Sequence, residues 1–292
     1  MYKRSYEAFN DNSTARGPAI LNFKQDGVKH ALLKIIDKVD IDEPLKVLGV
    51  GSGNGDTDIL ILQTMAELLI SKKKKKPTFH NVIVEPSSIL LDQYKMMASS
   101  LPPSLESAAN VFFEWQQKTF HEFNQETTIE KNCFDFIHFV HSLYYLDVEA
   151  ALRSCFKQWL KAENGVVVCF VHTENSYLAK LSKKFKGRLS CGSEVLSFCT
   201  DEEIAAIAEK NGWKYCVPLK EKFQTNVTTC LREPTSETDP LIDFLTQEQN
   251  FRANAEQELL NSWMEMIESL AFTDSNGEKF VTGENAVVII SK

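Results

Sequence analysis

Three glycines stand close together in a segment that could bring the backbone against a small ligand. The segment Leu45–Asp58 reads LKVLGVGSGNGDTD, in which an apolar run leads into glycines and helical apolar spacing begins at Asp56. Glycine is needed where the chain turns with positive φ, or where backbone must approach a ligand with no Cβ between them. The pattern predicts a strand, a tight turn and a helix. The turn lies at the carboxyl end of its strand, where open α/β sheets bind ligands.

An acidic residue stands at the end of the next predicted strand. The segment 81–86 reads NVIVEP, and the carboxylate of Glu85 could accept both ribose hydroxyls of a nucleoside. Two simpler interpretations stay open: a glycine-rich turn with no ligand, and a Glu85 that only stabilises a helix N-terminus. The pairing of the two turns favours a nucleoside site. Since GSGNGD is G-x-G-x-G, it does not match the dinucleotide fingerprint and instead resembles motif I of Rossmann-like methyltransferases that use S-adenosylmethionine (SAM).

The composition describes an ordinary globular protein. The chain has 292 residues, of which 43% are hydrophobic and 25% charged, and a formal net charge of −8. This acidic balance argues against a general nucleic-acid binder, because binding to phosphates depends on basic surface. The lysine run 72–76 is predicted to be a solvated loop rather than a polyanion site, since like charges repel one another and stay in water.

Cysteine usage and the apolar pattern bear on location. Seven cysteines, none in a C-x-x-C pair, stand mostly in apolar runs. Reduced core thiols are the expected state, which fits the cytosol. The N-terminal residues show no apolar signal region, and no run of about eighteen apolar residues suggests a membrane span. We therefore expect a cytoplasmic protein with no membrane partner.

Strands alternate with helices along the chain, which predicts an α/β fold with a mostly parallel sheet. We expect a Rossmann-like class I methyltransferase with seven strands, helices on both faces and a small insert on the substrate side. The whole chain, 1–292, is predicted to form one domain, in which 1–24 covers the substrate and about 174–200 and 232–275 are inserts. Strands are predicted at about 45–50, 80–84, 111–115, 134–140, 166–171 and 286–290, and two β-like stretches lie at about 214–219 and 227–231.

Several motifs together resemble the histamine N-methyltransferase family. Besides the glycine turn they are VEPS at 84–87, DFIH at 135–138, LYY at 143–145, and DFLT at 243–246 with Asn250-Phe251. The last of these lies in a C-terminal part that generic methyltransferases lack. The resemblance covers nearly the whole chain at patchy identity, so it indicates a divergent member.

The resemblance implies a set of SAM-binding positions. They are the first glycine of the turn, the acid after strand 2, and one residue each in the next helix, after strand 3 and at the end of strand 4, which here are Gly51, Glu85, Leu90, Phe120 and Val140. Gly53 and Gly55 are expected to border the same site. Leu90 and Phe120 replace polar family residues, and Phe120 could stack on adenine in place of a hydroxyl.

The substrate side departs further from the family pattern. A family glutamate that holds the substrate imidazole follows Ser-Thr, whereas here Ser13-Thr14 is followed by Ala15-Arg16. The family glutamine after strand 4 is replaced by His141, and the family asparagine before the last strand falls near Gly283. The predicted substrate-binding residues are the histidine and five aromatic side chains: Tyr6, Phe9, His141, Tyr144, Tyr145 and Phe244.

These features predict a SAM-dependent N-methyltransferase acting on a small imidazole or aromatic amine, which could be histamine-like, carnosine-like or histidine-derived, with S-adenosylhomocysteine (SAH) as product. The methyl of a sulfonium is already activated, so alignment of a neutral nitrogen supplies much of the rate. His141 and Tyr144 are the predicted catalytic residues. His141 would take up the proton lost after transfer, and Tyr144 and Tyr145 would stabilise cationic groups by cation–π attraction.

Two other functions stay open. The first is a small-molecule O- or C-methyltransferase, which would need a base or a metal, and the sequence shows no metal-ligand cluster. The second is a degenerate SAM-binding protein that has lost its substrate site, as the missing acid at Ala15 suggests. A nucleic-acid methyltransferase is less favoured because the residues after strand 4 lack the prolines of an N/D-P-P-Y/F motif. We expect a monomer, since no coiled-coil or repeat pattern occurs.

Overall fold

The computed structural model describes residues 2–126, 128–189, 199–232 and 239–292. Twelve α-helices occur in these ranges: α1 Tyr2–Asp11, α2 Pro18–Leu33, α3 Asp56–Lys73, α4 Ser88–Ala98, α5 Pro103–Ala108, α6 Phe120–Glu126, α7 Val148–Ser154, α8 Tyr177–Lys184, α9 Asp201–Lys210, α10 Asp239–Thr246, α11 Phe251–Asn254 and α12 Gln257–Leu270. The strands are β1 Leu45–Val50, β2 Thr78–Val84, β3 Asn110–Gln116, β4 Phe136–Val140, β5 Val166–His172, β6 Lys214–Asn226, β7 Phe272–Thr273 and β8 Lys279–Ser291.

The strands form one sheet in the order β3-β2-β1-β4-β5-β8-β6, with β7 paired to β8. Strands β1 to β5 pair in parallel, and β7 runs antiparallel to β8. The chain adds β2 and β3 on one side of β1, and β4 and β5 on the other. The strand order therefore reverses between β1 and β4, and a crevice at such a reversal is the usual ligand site of an open α/β sheet.

The contacts divide the chain into two compact units. The first, which we call the cap unit, comprises residues 1–22, 172–202 and 220–286. The second, the sheet unit, comprises 23–171, 203–219 and 287–292, and it contains β1 to β4 entire. The single domain with inserts stays a prediction. Parts of both predicted inserts lie outside the described residues.

The sheet unit has an apolar core in which the central strands are largely buried. All seven residues of β5 are buried, as continuous apolar strands require when helices cover a parallel sheet. Helix α2 approaches this core closely at Gly27, where an added Cβ would lie 2.7 Å from Val287 and 3.1 Å from Phe170. Asp147 is the N-cap of helix α7, and its carboxylate accepts a hydrogen bond from the Ala150 N–H at 2.9 Å.

The cap unit has its own core, built mainly from aromatic side chains. Trp263 of α12 is fully buried and lies 6.0 Å from the ring of Phe251. Phe223 of β6 lies between the rings of Phe9 and Tyr177, at 6.4 and 6.3 Å. The hydroxyl of Tyr177 bonds to that of Thr225 at 3.0 Å, so the buried phenol is satisfied.

The predicted fold class is confirmed, and several elements differ in detail. The sheet has eight strands rather than seven, because the two-residue β7 adds to it. The strand predicted at 227–231 is wrong: Thr229–Leu231 is a short 3-10 turn. Strand β8 begins at Lys279, earlier than predicted. After helix α7 the chain continues as a π-turn, Cys155–Trp159.

The lysine run is only partly a loop. Helix α3 continues to Lys73, and Lys74 ends it in the left-handed conformation with φ 57°. Lys75 forms an ion pair with Asp42, and the ammonium of Lys76 donates to the Glu106 carbonyl at 3.0 Å. The run therefore closes a helix and bonds to neighbouring loops, and cations at a helix C-terminus also complement its dipole.

We predict that Gly283→Ala destabilises the protein by about 1–3 kcal/mol, the usual cost of overpacking a core. A Cβ on Gly283 would lie 2.1 Å from the ring tip of the buried Phe223. Thermal or urea unfolding measures the effect. Because Phe223→Leu shortens the opposing ring, the double variant should lose less stability than the sum of the two single variants. Additive losses would contradict this packing explanation.

Candidate active site

The three glycines of the turn after β1 all adopt positive φ, at 67° for Gly51, 59° for Gly53 and 86° for Gly55. A Cβ on Gly51 would lie 2.5 Å from the Cβ of Ser142, and one on Gly55 would lie 2.2 Å from the Tyr94 ring. Apart from its chain neighbours, no atom of the described residues lies within 4 Å of the place where a Gly53 Cβ would be. Two glycines are therefore required by neighbouring protein atoms, and the space beside Gly53 is open to a ligand such as the one predicted there.

Glu85 connects this turn to the turn after β2. Its side chain is buried; one carboxylate oxygen accepts a hydrogen bond from the Gly53 N–H at 2.8 Å, and the other accepts one from the Ser87 N–H at 2.9 Å. The Glu85 N–H donates to the carbonyl of Gln116, the last residue of β3, at 3.1 Å. Each carboxylate oxygen keeps acceptor capacity beyond these bonds, which the two hydroxyls of a ribose would use.

Ser142 links the segment after β4 to the end of β1, at the place where the strand order reverses. Its hydroxyl donates to the Val50 carbonyl at the end of β1 at 2.6 Å, and it lies directly beside Gly51. On the other side, the Gly51 N–H donates to the Val84 carbonyl at 2.8 Å. Sequence reasoning did not identify Ser142 as part of the site. The only local signal was a small polar residue directly after β4 and His141.

The other predicted SAM contacts differ in exposure. Leu90, in the first turn of α4, and Val140, the last residue of β4, are half-buried. Phe120 begins α6 and is buried; its ring lies 6.1 Å from that of Phe123 and 5.8 Å from that of Phe139. Because Phe120 already packs among aromatic rings of the sheet unit, a contact with adenine stays a prediction.

His141 has an uncommon backbone conformation. Its φ is 53°, in the left-handed region, and its N–H donates to the Phe170 carbonyl of β5 at 3.0 Å. Its Nδ1 lies 3.0 Å from the hydroxyl of Tyr144, which is buried. Tyr145 is half exposed. Left-handed backbone in a non-glycine residue stores strain and is found most often at functional sites.

The remaining predicted substrate residues form an aromatic cluster in the cap unit. The rings of Phe9 and Phe244 stack at 4.4 Å, and Tyr6 lies 5.9 Å from Phe244. The guanidinium of Arg16 lies over the Tyr6 ring, 5.1 Å from its centroid. Tyr6, Phe9 and Phe244 are thus together, in a different unit from His141 and Tyr144.

The segment that carries Ala15 is well ordered by hydrogen bonds within the cap unit. Ser13 caps a single 3-10 turn, Thr14–Arg16, by accepting a bond from the Ala15 N–H at 3.1 Å. The Thr225 hydroxyl donates to the Ser13 hydroxyl at 3.3 Å. No carboxylate stands at position 15, and the next side chain is the exposed cation Arg16.

Three further features of the described residues concern metal ligands, membrane-spanning helices and cysteines. Among the residues described, no group of three or more His, Cys, Asp or Glu side chains is arranged to hold a metal ion. Within the same ranges, no helix combines the length and apolar character needed to cross a membrane. No disulfide joins any two of the described cysteines, which are Cys133, Cys155, Cys169, Cys199, Cys216 and Cys230.

Comparison with known proteins agrees with this geometry. A family model described as a methyltransferase domain matches residues 22–216. Histamine N-methyltransferase A of Xenopus laevis is 30% identical over 99% of this chain and 94% of its own length. The histamine N-methyltransferase of Danio rerio is 30% identical over 91% of this chain and 86% of its own length.

Solved structures agree on the fold. Loganic acid methyltransferase with bound SAH gives a TM-score of 0.56 at 12% identity and covers 94% of this chain and 93% of that one. The YcgJ protein of Bacillus subtilis gives 0.52 at 14% identity and covers 90% and 99%. The fold and the cofactor turn together define a class I SAM-dependent methyltransferase. Within that class the chain belongs to the histamine N-methyltransferase family and is an N-methyltransferase.

We predict that Glu85→Gln weakens binding of SAH by about tenfold to a hundredfold, because hydrogen bonds to a charged group contribute about 1.5–3 kcal/mol. The variant replaces one carboxylate oxygen, which accepts hydrogen bonds, with an NH2 group, which donates them. Isothermal titration calorimetry with SAH measures the loss. Glu114→Gln, on β3, removes a half-buried acid that pairs with His80 and accepts a hydrogen bond from the Gln116 amide, and it should change the affinity less than twofold. Unchanged affinity in Glu85→Gln would contradict the assignment of the cofactor site.

Proposed function

We propose that this enzyme transfers the methyl group of SAM to a nitrogen of a small imidazole or aromatic amine. Similarity to histamine N-methyltransferases over nearly the whole chain carries the proposal. The aromatic cluster of Tyr6, Phe9 and Phe244 supports it, since such rings attract flat and cationic amines. Free cysteines further support a cytosolic enzyme, and we infer a monomer.

The reaction needs alignment more than acid–base power. SAM supplies a methyl group already activated by a positive sulfur. The residues of the protein then have to hold a neutral nitrogen in line with that methyl, which can lower the barrier by about 7–11 kcal/mol. The backbone at Gly53 and the carboxylate of Glu85 hold the nucleoside end. Tyr144 and Tyr145 border the reacting end and stabilise positive charge there.

His141 accepts the proton that the methylated nitrogen loses. For its Nε2 to act as the acceptor, Nδ1 must carry the hydrogen and donate it to the Tyr144 hydroxyl, 3.0 Å away. Tyr144 can then donate its own hydrogen to a further acceptor, such as a substrate atom. In this arrangement Tyr144 selects the productive tautomer of His141 and orients its ring.

The N-terminal segment bears on which amine is used. Histamine carries an ammonium and no carboxylate, whereas histidine-derived and carnosine-like imidazoles carry a carboxylate as well. Arg16, beside Tyr6, adds a cation where the family pattern has an acid one residue earlier, at Ala15. A guanidinium pairs well with a carboxylate and repels an ammonium. We infer that the substrate is a carboxylate-bearing imidazole rather than histamine.

An amine panel tests this substrate class. Labelled SAM and the wild-type enzyme are incubated with histamine, histidine, carnosine, phenylethylamine and tryptamine, and products are identified by mass. We expect turnover of histidine or carnosine at higher kcat/KM than histamine. Arg16→Gln should raise KM for the carboxylated substrate about tenfold and should raise the kcat/KM of histamine, because the cation that repels its ammonium is gone. Preferred turnover of histamine by the wild type would contradict the role of Arg16.

Variants of the pair after β4 test the mechanism. Both His141→Gln and Tyr144→Phe should lower kcat, the first by about a hundredfold, in line with the loss of a general base. Affinity for SAH should stay within twofold in both, since neither group holds the nucleoside. His121→Gln, an exposed histidine on α6, is the control and should keep full activity. A loss of SAH affinity that matches the loss of kcat would place the pair in the cofactor site instead.

A further inference from the structure

Four buried polar side chains converge inside the sheet unit, next to the glycine turn. They come from four different elements: Asp58 from α3, Asn81 from β2, Tyr94 from α4 and His138 from β4. Each is at most 1% exposed. We call this group the subturn cluster. Burial of polar groups on this scale is costly unless they bond to one another, so a cluster of this kind needs a reason.

The members of the subturn cluster form a chain of contacts. The Asn81 amide donates to the Tyr94 hydroxyl at 3.2 Å, and that hydroxyl donates to the Asp58 carboxylate at 3.4 Å. The other carboxylate oxygen of Asp58 lies 3.8 Å from Nε2 of His138. The chain of contacts thus ends at Asp58, the third residue of the helix that follows the glycine turn.

The cluster touches the turn at both ends. At one end, the Tyr94 ring fills the space that a Gly55 side chain would occupy, 2.2 Å from the built Cβ. At the other end, the side chains of Ser52, which belongs to the turn, and of Asp58 and His138 surround the position where a Gly49 Cβ would be. A Cβ on Gly49 would lie 2.4 Å from the Ser52 hydroxyl, 2.7 Å from Asp58 and 2.9 Å from His138. Because Gly49 has no side chain, the Ser52 hydroxyl can lie close to the carboxyl group of Asp58.

Burial and the neighbouring side chains act on the pKa of Asp58 in opposite directions. Burial is the larger effect and raises the pKa, and His138, Ser52 and Tyr94 offset only part of that rise. Burial likewise lowers the pKa of His138, against the opposite effect of Asp58. The Ser52 hydroxyl and the His138 Nε2 are buried and make no hydrogen bond of ordinary geometry within the described residues. The cluster therefore holds Asp58 by close packing and by the bond from Tyr94.

We propose that Asp58, supported by Tyr94 and His138, is a positioning residue that holds the turn Gly51–Gly55 in its SAM-binding shape. Asp58 acts on the turn through its neighbour Ser52 and through Tyr94, whose ring packs against Gly55. The subturn cluster thereby sets the affinity for the cofactor while contributing no group to the reaction. The proposal concerns cofactor binding alone, so it can be tested with SAH whichever amine is the substrate.

Asp58→Asn is the first test, because it removes the charge and keeps the shape. We expect SAH binding to weaken at least fivefold by calorimetry, KM for SAM to rise to match, and kcat at saturating SAM to stay within twofold. Hydrogen exchange on the ligand-free protein should show faster exchange of the turn amides, with β5 unchanged. This loosening would be seen without any cofactor present.

Thr64→Val provides the matched control. Thr64 is also a buried polar residue of α3, but its hydroxyl donates to the Leu60 carbonyl of its own helix at 2.7 Å and not to the cluster. This variant should lose some thermal stability and keep its SAH affinity. If Asp58→Asn lowers stability in the same way and also keeps its affinity within twofold, its role is structural only and the proposal is overturned.

Tyr94→Phe is the second variant, and it decides the matter if Asp58→Asn does not fold. It removes only the phenolic oxygen that donates to Asp58, and it leaves the ring under Gly55 in place. We expect SAH affinity to fall at least threefold. Ser52→Ala combined with Tyr94→Phe should lose less affinity than the sum of the single variants, since both act through Asp58. An unchanged affinity in Tyr94→Phe would overturn the proposal.

Discussion

The cofactor site depends on one buried carboxylate that bridges two turns. Glu85 accepts the Gly53 N–H with one oxygen and the Ser87 N–H with the other, at 2.8 and 2.9 Å. Leaving such a charge unpaired out of water would cost several kcal/mol, so the two donors keep both turns in register with it. The same bonds leave each oxygen further acceptor capacity, which the proposed nucleoside site would use. This one interaction therefore fixes the position of the two turns on which the proposed site stands.

Local signals were enough to predict the strand and the glycine turn on which the proposed cofactor site stands. Strand β1 was predicted with the bounds that the structure shows, because an apolar run ends there in glycine. The positive φ of Gly51, Gly53 and Gly55 follows from a turn that no other residue adopts as readily. Glu85 could be predicted because its position, at the end of the next strand, is set by chain order alone.

The contacts that support the turn could not be predicted, because they join residues far apart in the chain. The bond from Ser142 to Val50 spans 92 residues, and that from Tyr94 to Asp58 spans 36. Nothing in the local pattern around Tyr94 or His138 distinguishes a cluster member from an ordinary buried residue. The wrong strand at 227–231 has a similar cause. Val227 and Cys230 are fully buried, but Cys230 belongs to a 3-10 turn and Val227 stands two residues before it, so neither belongs to a strand.

The backbone of His141 shows what residue type alone does not reveal. Its left-handed conformation costs a non-glycine residue about 1–2 kcal/mol, and glycine would adopt the same shape at little cost. The bonds from His141 to Phe170 and from Ser142 to Val50 hold the chain in this shape. Backbone geometry would therefore be satisfied, and even eased, by glycine at this position. An imidazole that stands there against the strain, 3.0 Å from the Tyr144 hydroxyl, supports the proposal that its ring acts in the reaction.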